Sequence, residues 1–187
     1  MELSEAAHLL DPAPLRLEMG IERLASGVLH VAARTDMHGC TGRMFDWWFR
    51  WFHTTQHYVW WHPVDHVAST WEKWTPGRYV GATNVVDERL SGPEVHRIHV
   101  HFLELSEVFG AGVAEARLAD GSISAAVCAS TGIGAEPAQI EALAPDALGF
   151  GLLRHAYNEM TFLSRLLPSL YVAESRDRQP PALPWAL

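Results

Sequence analysis

Between Met44 and His66 the chain reads MFDWWFRWFHTTQHYVWWHPVDH, a segment that must either be buried or wall a cavity. Five of the eight Trp and four of the eleven His fall inside it, with Phe45, Phe49, Phe52 and Tyr58 among them. A single packing face rarely needs so many rings. Large aromatics fill a core or line an apolar pocket, while the interspersed His offer neutral nitrogen ligands and groups that titrate near neutral pH. The segment therefore points to an apolar pocket carrying a metal or an acid–base group. Met44, Phe45, Trp47, Trp48, Trp51 and Phe52 fit a helix from Arg43 to Phe52 with a wide buried face. TTQHYVWWHP then changes character: Tyr58, Trp60 and His62 alternate with Val59 and Trp61, and Pro63 ends regular structure nearby. His66, three residues beyond Pro63, is aimed inward by a turn in this reading. Taken singly, His53, His57, His62 and His66 read as hydrogen-bonded His under an aromatic cluster; taken together they favour at least one functional His.

A second informative stretch, LGFGLLRHAYNEMTFLSRLLPSL from Leu148 to Leu170, reads as a helix. Leu148, Leu152, His155, Glu159, Phe162 and Leu166 recur at spacings of three and four and share one face. A carboxylate on such an apolar stripe is costly unless it is paired or holds a metal, and an i, i+4 pair presents both side chains to one ion. Spacing alone thus makes His155 and Glu159 candidate metal ligands.

Length and charge narrow the classes. The 187 residues suit one domain with its own core, preceded by a loose arm over 1–14, broken by Pro12 and Pro14, and followed by a Pro-rich tail over 176–187. A net charge of −8 argues against a nucleic-acid or anionic-membrane binder, because both need a basic face. Cys40 and Cys128 are too few and too distant for a zinc ribbon or disulfide framework, which fits a cytoplasmic protein with reduced thiols. No apolar run approaches the ~20 residues of a membrane span, and the N-terminus lacks the pattern of a signal peptide.

Between the two stretches the chain reads as strands. LRLEMGIERLASGVLHVAARTDM contains two, with a turn at Ser26 and Gly27; its His30, like His38, reads as structural or surface. Arg78 to Ser91 and Glu94 to Leu105 form two more, joined at Gly92 and Pro93. In the latter, Val95, Arg97, His99, His101 and Leu103 share one face and His96, Ile98, Val100, Phe102 and Glu104 the other, so His99 and His101 line a cavity or belong to a half-solvated strand. Gly110 to Leu118 and Ser122 to Thr131 make a hairpin turning at Ala119 to Gly121, and Gly132 to Pro145 leads into the last helix. Several antiparallel strands followed by one long C-terminal helix suggest an α+β helix-grip arrangement, a curved antiparallel sheet around that helix with an internal cavity.

The succession MFDWWF, YVWWHPVDH, GATNVVDERLSG and, on the last helix, HAYNE resembles the 2,4-diacetylphloroglucinol hydrolase family. The motifs cover Cys40 to Ser91 and Phe150 to Phe162; the remainder matches in order and character. The resemblance implies a Bet v1-like helix-grip fold, a zinc ion held by two His and two Glu, and hydrolysis of the carbon–carbon bond between an acyl group and a phenolic ring. Carried over by motif, the ligands are His66, His155, Glu159 and a Glu on a strand after the Trp-rich region. Glu88 is the choice for the last, with Asp87, Glu94 and Glu104 as competitors. Tyr58 matches a Tyr that hydrogen-bonds a substrate oxygen. The chain is much shorter than the long members, and the space of a further His that assists the reaction there falls to His99 or His101.

Residue types support such chemistry. A bound metal lowers the pKa of water to about 7 and polarises a carbonyl, Tyr58 steadies the developing oxyanion or phenolate, and Trp-rich walls, Trp61 among them, stack on an aromatic or ketonic substrate. Two His and two Glu also suit Fe2+ or Mn2+, so a metal-dependent oxygenase or hydratase stands beside the hydrolase. Two further readings are a helix-grip small-molecule binding protein without turnover, and a domain whose His155 and Glu159 merely bond to neighbouring strands. Exposed Trp near the tail suits a homodimer.

Overall fold

The computed structural model describes residues 19–90, 92–102, 123–131 and 144–175, the strand at 123–131 by its backbone. β1 (Met19–Arg23) and β2 (Leu29–Met37) are followed by α1 (Gly42–Trp51), α2 (Thr55–Trp61), β3 (His66–Glu72), β4 (Thr83–Glu88), β5 (His96–His101), β6 (Ile123–Thr131) and the long α3 (Asp146–Glu174). Among these residues the strands form two antiparallel sheets, in the orders β1-β2-β6 and β3-β4-β5. The result is an α+β architecture with a long C-terminal helix.

β2 is buried along nearly all its length rather than at alternate positions, because β1 and β6 flank it and α3 packs across it. The turn that feeds it bends at Gly27, whose φ of 88° lies where a side chain is strained. The expected segments at Gly110 to Leu118 and Ala119 to Gly121, the last part of the expected strand from Leu103 onward, the terminal arm and the tail lie outside the described residues.

α1 begins at Thr41, whose hydroxyl accepts from the Met44 amide, and ends with Arg50 beside the helix C-terminus, where a cation is favoured. Trp48 and Phe49 enter the core. The next segment departs from the expected extended alternation: Thr54 caps a second short helix, α2, by accepting from the His57 amide at 3.2 Å. Tyr58 and Trp61, three apart, are its buried pair. The local cap and the burial of that pair outweigh the alternation of Tyr58, Trp60 and His62. The rings then form one plate: Trp48 stacks on Phe52 at 5.5 Å, Trp61 meets Trp48 edge-on at 5.8 Å, and Phe52 reaches Trp71 of β3 at 5.2 Å.

α3 extends four residues past the expected C-terminal end. Its most buried line runs through Gly149, Ala156, Met160, Leu163 and Leu167, with His155 beside it. That line is displaced by one residue from the expected stripe, because the small Gly149 and Ala156 allow close approach to a sheet while Leu148 and Leu152 turn to a cavity. A Cβ at Gly149 would meet Leu29 Cδ2 at 2.7 Å and Ile21 Cγ2 at 3.3 Å. Leu29 is fully buried and has no room to yield. Overpacking costs ~1–3 kcal/mol against a helix-propensity gain of ~1 kcal/mol, so Gly149→Ala is expected to lower stability by about 1 kcal/mol. The denaturation midpoint checks the sign.

Pro168 sits inside α3 and cannot donate to the Ser164 carbonyl. That carbonyl accepts instead from Cys40, 3.6 Å away, just before α1. Burial raises the Cys40 thiol to about 11, so it stays protonated and able to donate.

Candidate metal centre

Three segments deliver the polar residues of the site. His62 caps the C-terminus of α2, and the turn to β3 is closed by the His66 amide on the His62 carbonyl at 3.0 Å. β3 then pairs with β4, with His66 opposite Glu88. A register shift between His66 and Ala68 adds one residue to β3. Without it, His66 and Ser69 would project to opposite faces; with it, both share the face that carries Glu88, Val86 and Asn84. Ser69 Oγ accordingly donates to Asn84 Oδ1 at 2.7 Å. α3 supplies His155 and Glu159, one turn apart.

The ligand atoms of His66, Glu88 and His155 all lie within 4.8 Å of one another, and all three residues are buried. His155 Nε2 stands 3.3 Å from Glu88 Oε2 and 3.8 Å from Glu159 Oε2, and His66 Nε2 stands 3.7 Å from Glu159 Oε2. Neither Nε2 has a hydrogen-bond partner. His66 Nδ1 is 2.7 Å from the Tyr58 carbonyl, which can only accept, so Nδ1 carries the proton and the Nε2 lone pair faces the carboxylates. The Tyr58 ring stacks on the His66 ring at 3.7 Å.

Burial dominates the electrostatics. It raises Glu88 and Glu159 to about 7, with His155 pulling both back, and it lowers His66 to about 4. Tyr58 donates to Glu88 Oε1, and burial together with that carboxylate pushes its phenol far above the usual range. Two unpartnered nitrogens and two carboxylates converging in a dry spot suit a divalent cation.

Of the residues expected from sequence, His66, Glu88, His155 and Glu159 converge. The competitor Asp87 faces the opposite side of β4, where Arg97 donates to it through Nε at 2.8 Å and Nη2 at 2.9 Å. Glu94 is exposed, and Glu104 lies outside the described residues. Trp61 lines the cavity, and its indole N–H donates to the Glu159 carbonyl at 2.9 Å, tying α2 to α3. His99 and His101 also border the cavity. Register, however, pairs them with Val85 and Thr83, on the face away from Glu88, and His101 Nδ1 sits 2.9 Å from Thr83 Oγ1. On the Glu88 face of β5 the His is His96.

Asp65, absent from the expected set, is also buried; its Oδ2 lies 3.3 Å from His155 Nδ1. Its place between two His in HPVDH was the available signal. The ligand atoms of His62, Asp65 and His155 also lie within 4.8 Å of one another; His62 Nδ1 already accepts the Asp65 amide at 3.0 Å, and its Nε2 is left without a partner.

Glu88, His155 and Glu159 form part of the wall of a cavity of about 670 Å³, within the size range of small-molecule sites. Phe49, Phe52, Trp61, Leu152 and Met160 make the wall largely apolar. An antiparallel α+β frame holding a buried His/Glu cluster on an apolar cavity defines a small-molecule domain with a potential metal centre. The model of the DAPG hydrolase PhiG domain matches residues 1–144, and the chain belongs to that family of hydrolases, as its motifs indicate. The match includes Tyr58, His66 and Glu88 and ends before α3. Comparison with curated proteins gave no match. No helix among the described residues is long and apolar enough to cross a membrane.

Proposed function

We propose that the chain is a metal-dependent hydrolase that cleaves the carbon–carbon bond between an acyl group and a phenolic ring, or the equivalent bond of a related ketone, on a helix-grip fold. The observation that carries this reading is the pair of unpartnered, buried His nitrogens facing Glu88 and Glu159 on a cavity wall, in a chain of this family. His66, Glu88, His155 and Glu159 would hold the ion, with zinc implied by the motif resemblance and Fe2+ or Mn2+ also suited to the donor set.

When bound, the ion polarises a carbonyl and lowers the pKa of water to about 7. Water adds to the acyl carbonyl carbon, the bond to the ring breaks, and its electron pair stays on the ring carbon, which then takes a proton. The products are a carboxylic acid and the deacylated phenol. Glu88 and Glu159, which burial raises to about 7 in the metal-free chain, would be ionised while holding the ion, and either one, once released from it, would serve as the base. Tyr58, held protonated, would turn the O–H that here meets Glu88 Oε1 to an oxygen on which negative charge develops. Phe52 and Trp61 present apolar faces to the ring and exclude bulk water.

Incubating the metal-loaded protein with acylated phenols tests this directly: acid and deacylated phenol should appear in equal amounts without oxygen. Product formation that requires oxygen would instead make it an oxygenase, and binding without turnover would make it a carrier. Tyr58→Phe at saturating metal is expected to keep the ion and lower turnover by about 10²-fold, as steady-state kinetics with parallel metal analysis would show.

A further inference from the structure

We infer that Asp65 is the positioning residue of the centre: it fixes the tautomer and ring angle of His155 so that Nε2 points its lone pair at Glu88 and Glu159. The inference rests on the metal-centre reading of His66, Glu88, His155 and Glu159.

The backbone of Asp65 is already engaged, its amide donating to His62 Nδ1 at 3.0 Å and its carbonyl accepting from the Arg89 amide at 2.9 Å. The peptide is thereby pinned on both sides, and the side chain is left for another task. Its Oδ2 lies 3.3 Å from His155 Nδ1, while His62 Nδ1 and Arg154 Nη2 are each 3.9 Å from the same oxygen. Arg154 is itself held by the Leu90 carbonyl at 2.9 Å, so its charge stays beside the carboxylate. A carboxylate oxygen accepts and does not donate, so the proton of His155 sits on Nδ1 and the other nitrogen is left bare. That other nitrogen is the one without a partner, 3.3 Å from Glu88 Oε2.

The two His of the centre are thus oriented by different means. His66 is held by a main-chain carbonyl of α2, which no side-chain substitution removes. His155 is held by a side chain, and by a charged one, which makes the imidazole a stronger donor as well as a fixed one. Asp65 immediately precedes His66 in the chain, so one short turn places one ligand and orients another that is 90 residues away in sequence. Pro63 and the pinned peptide of Asp65 hold that turn in shape.

Two measurements on wild type, Asp65→Asn and Asp65→Ala test this: zinc affinity by competition with a chromophoric chelator, and the His155 tautomer in metal-free protein by nitrogen-15 NMR. Wild type should show the proton on Nδ1. Asp65→Ala should mix the tautomers and weaken zinc binding by about 10–100-fold. Asp65→Asn, which keeps an acceptor of the same shape but not the charge, should hold the tautomer and fall between the two in affinity. A purely structural role would lower thermal stability and leave the tautomer and the affinity of the folded protein alone. Unchanged affinity in Asp65→Asn overturns the inference even where Asp65→Ala does not fold, as does an unchanged tautomer in folded Asp65→Ala. Failure of wild type to bind zinc, iron or manganese would overturn the metal-centre reading itself, and this inference with it.

Discussion

In His155→Ala, bound metal is expected to fall from about one ion per chain to below about a tenth, with hydrolysis falling by about 10³-fold or more. His155 is the hub of the centre: Nε2 faces both Glu88 and Glu159, and Nδ1 faces Asp65. Its removal leaves three buried acidic side chains near a void with one nitrogen, His66 Nε2, to share a cation. Ala is a better helix former than His, and the neighbouring Ala156, Met160 and Leu163 keep α3 seated, so the fold should persist. Elemental analysis and circular dichroism on the same sample separate loss of the ion from loss of the fold. Full metal content in the folded variant would place the centre elsewhere.

The second large effect concerns pH in the metal-free protein. Burial raises Glu88 and Glu159 from 4.5 to about 7. A carboxyl raised in this way contributes stability that is present below its unfolded pKa and is lost as pH climbs through the folded one, on the order of 3 kcal/mol for each taken alone. His66 works in the opposite sense: lowered from 6.5 to about 4, it destabilises the fold as pH falls across that window. Two groups oppose one, so metal-free stability should be greatest near pH 4 to 4.5 and decline by about 3 kcal/mol towards pH 8. A bound cation needs ionised carboxylates and neutral imidazoles, so metal should reverse the alkaline decline. Urea denaturation at pH 5.5 and pH 8, with and without chelator, measures this. Equal metal-free stability at both values would mean that the two carboxyls are not buried as described.

The long elements were legible because their patterns run over many turns. α1 shows through Met44, Phe45, Trp47, Trp48, Trp51 and Phe52, and α3 through Leu at helical spacing around His155 and Glu159. α2 has seven residues, and Trp60 beside Trp61 blurs its period, so only the Thr54 cap and the Tyr58/Trp61 spacing marked it. Choices between adjacent residues were not legible at all. Asp87 and Glu88 occupy opposite faces of β4, and which face looks inward depends on the extra residue in β3, a tertiary feature without a composition. The same parity separates His96 from His99 and His101. Asp65 was hidden for another reason: its partner sits on α3, and nothing local in HPVDH names it.

Two donors of the centre, His66 and Glu88, come from the β3-β4 hairpin, and two, His155 and Glu159, from a helix that begins at Asp146. An ion shared among them would be a removable staple closing one long loop of chain. For a loop of this length such closure contributes about 4 kcal/mol, by narrowing the freedom of the unfolded chain. The contribution changes by only about 0.6 kcal/mol for each doubling of the loop, so the chain between Glu88 and Asp146 is free to vary in length without loosening the clasp. Removing the ion should therefore leave α3 seated by its core contacts but opening more often, and faster amide exchange along 146–174 should be the earliest sign that the ion has gone.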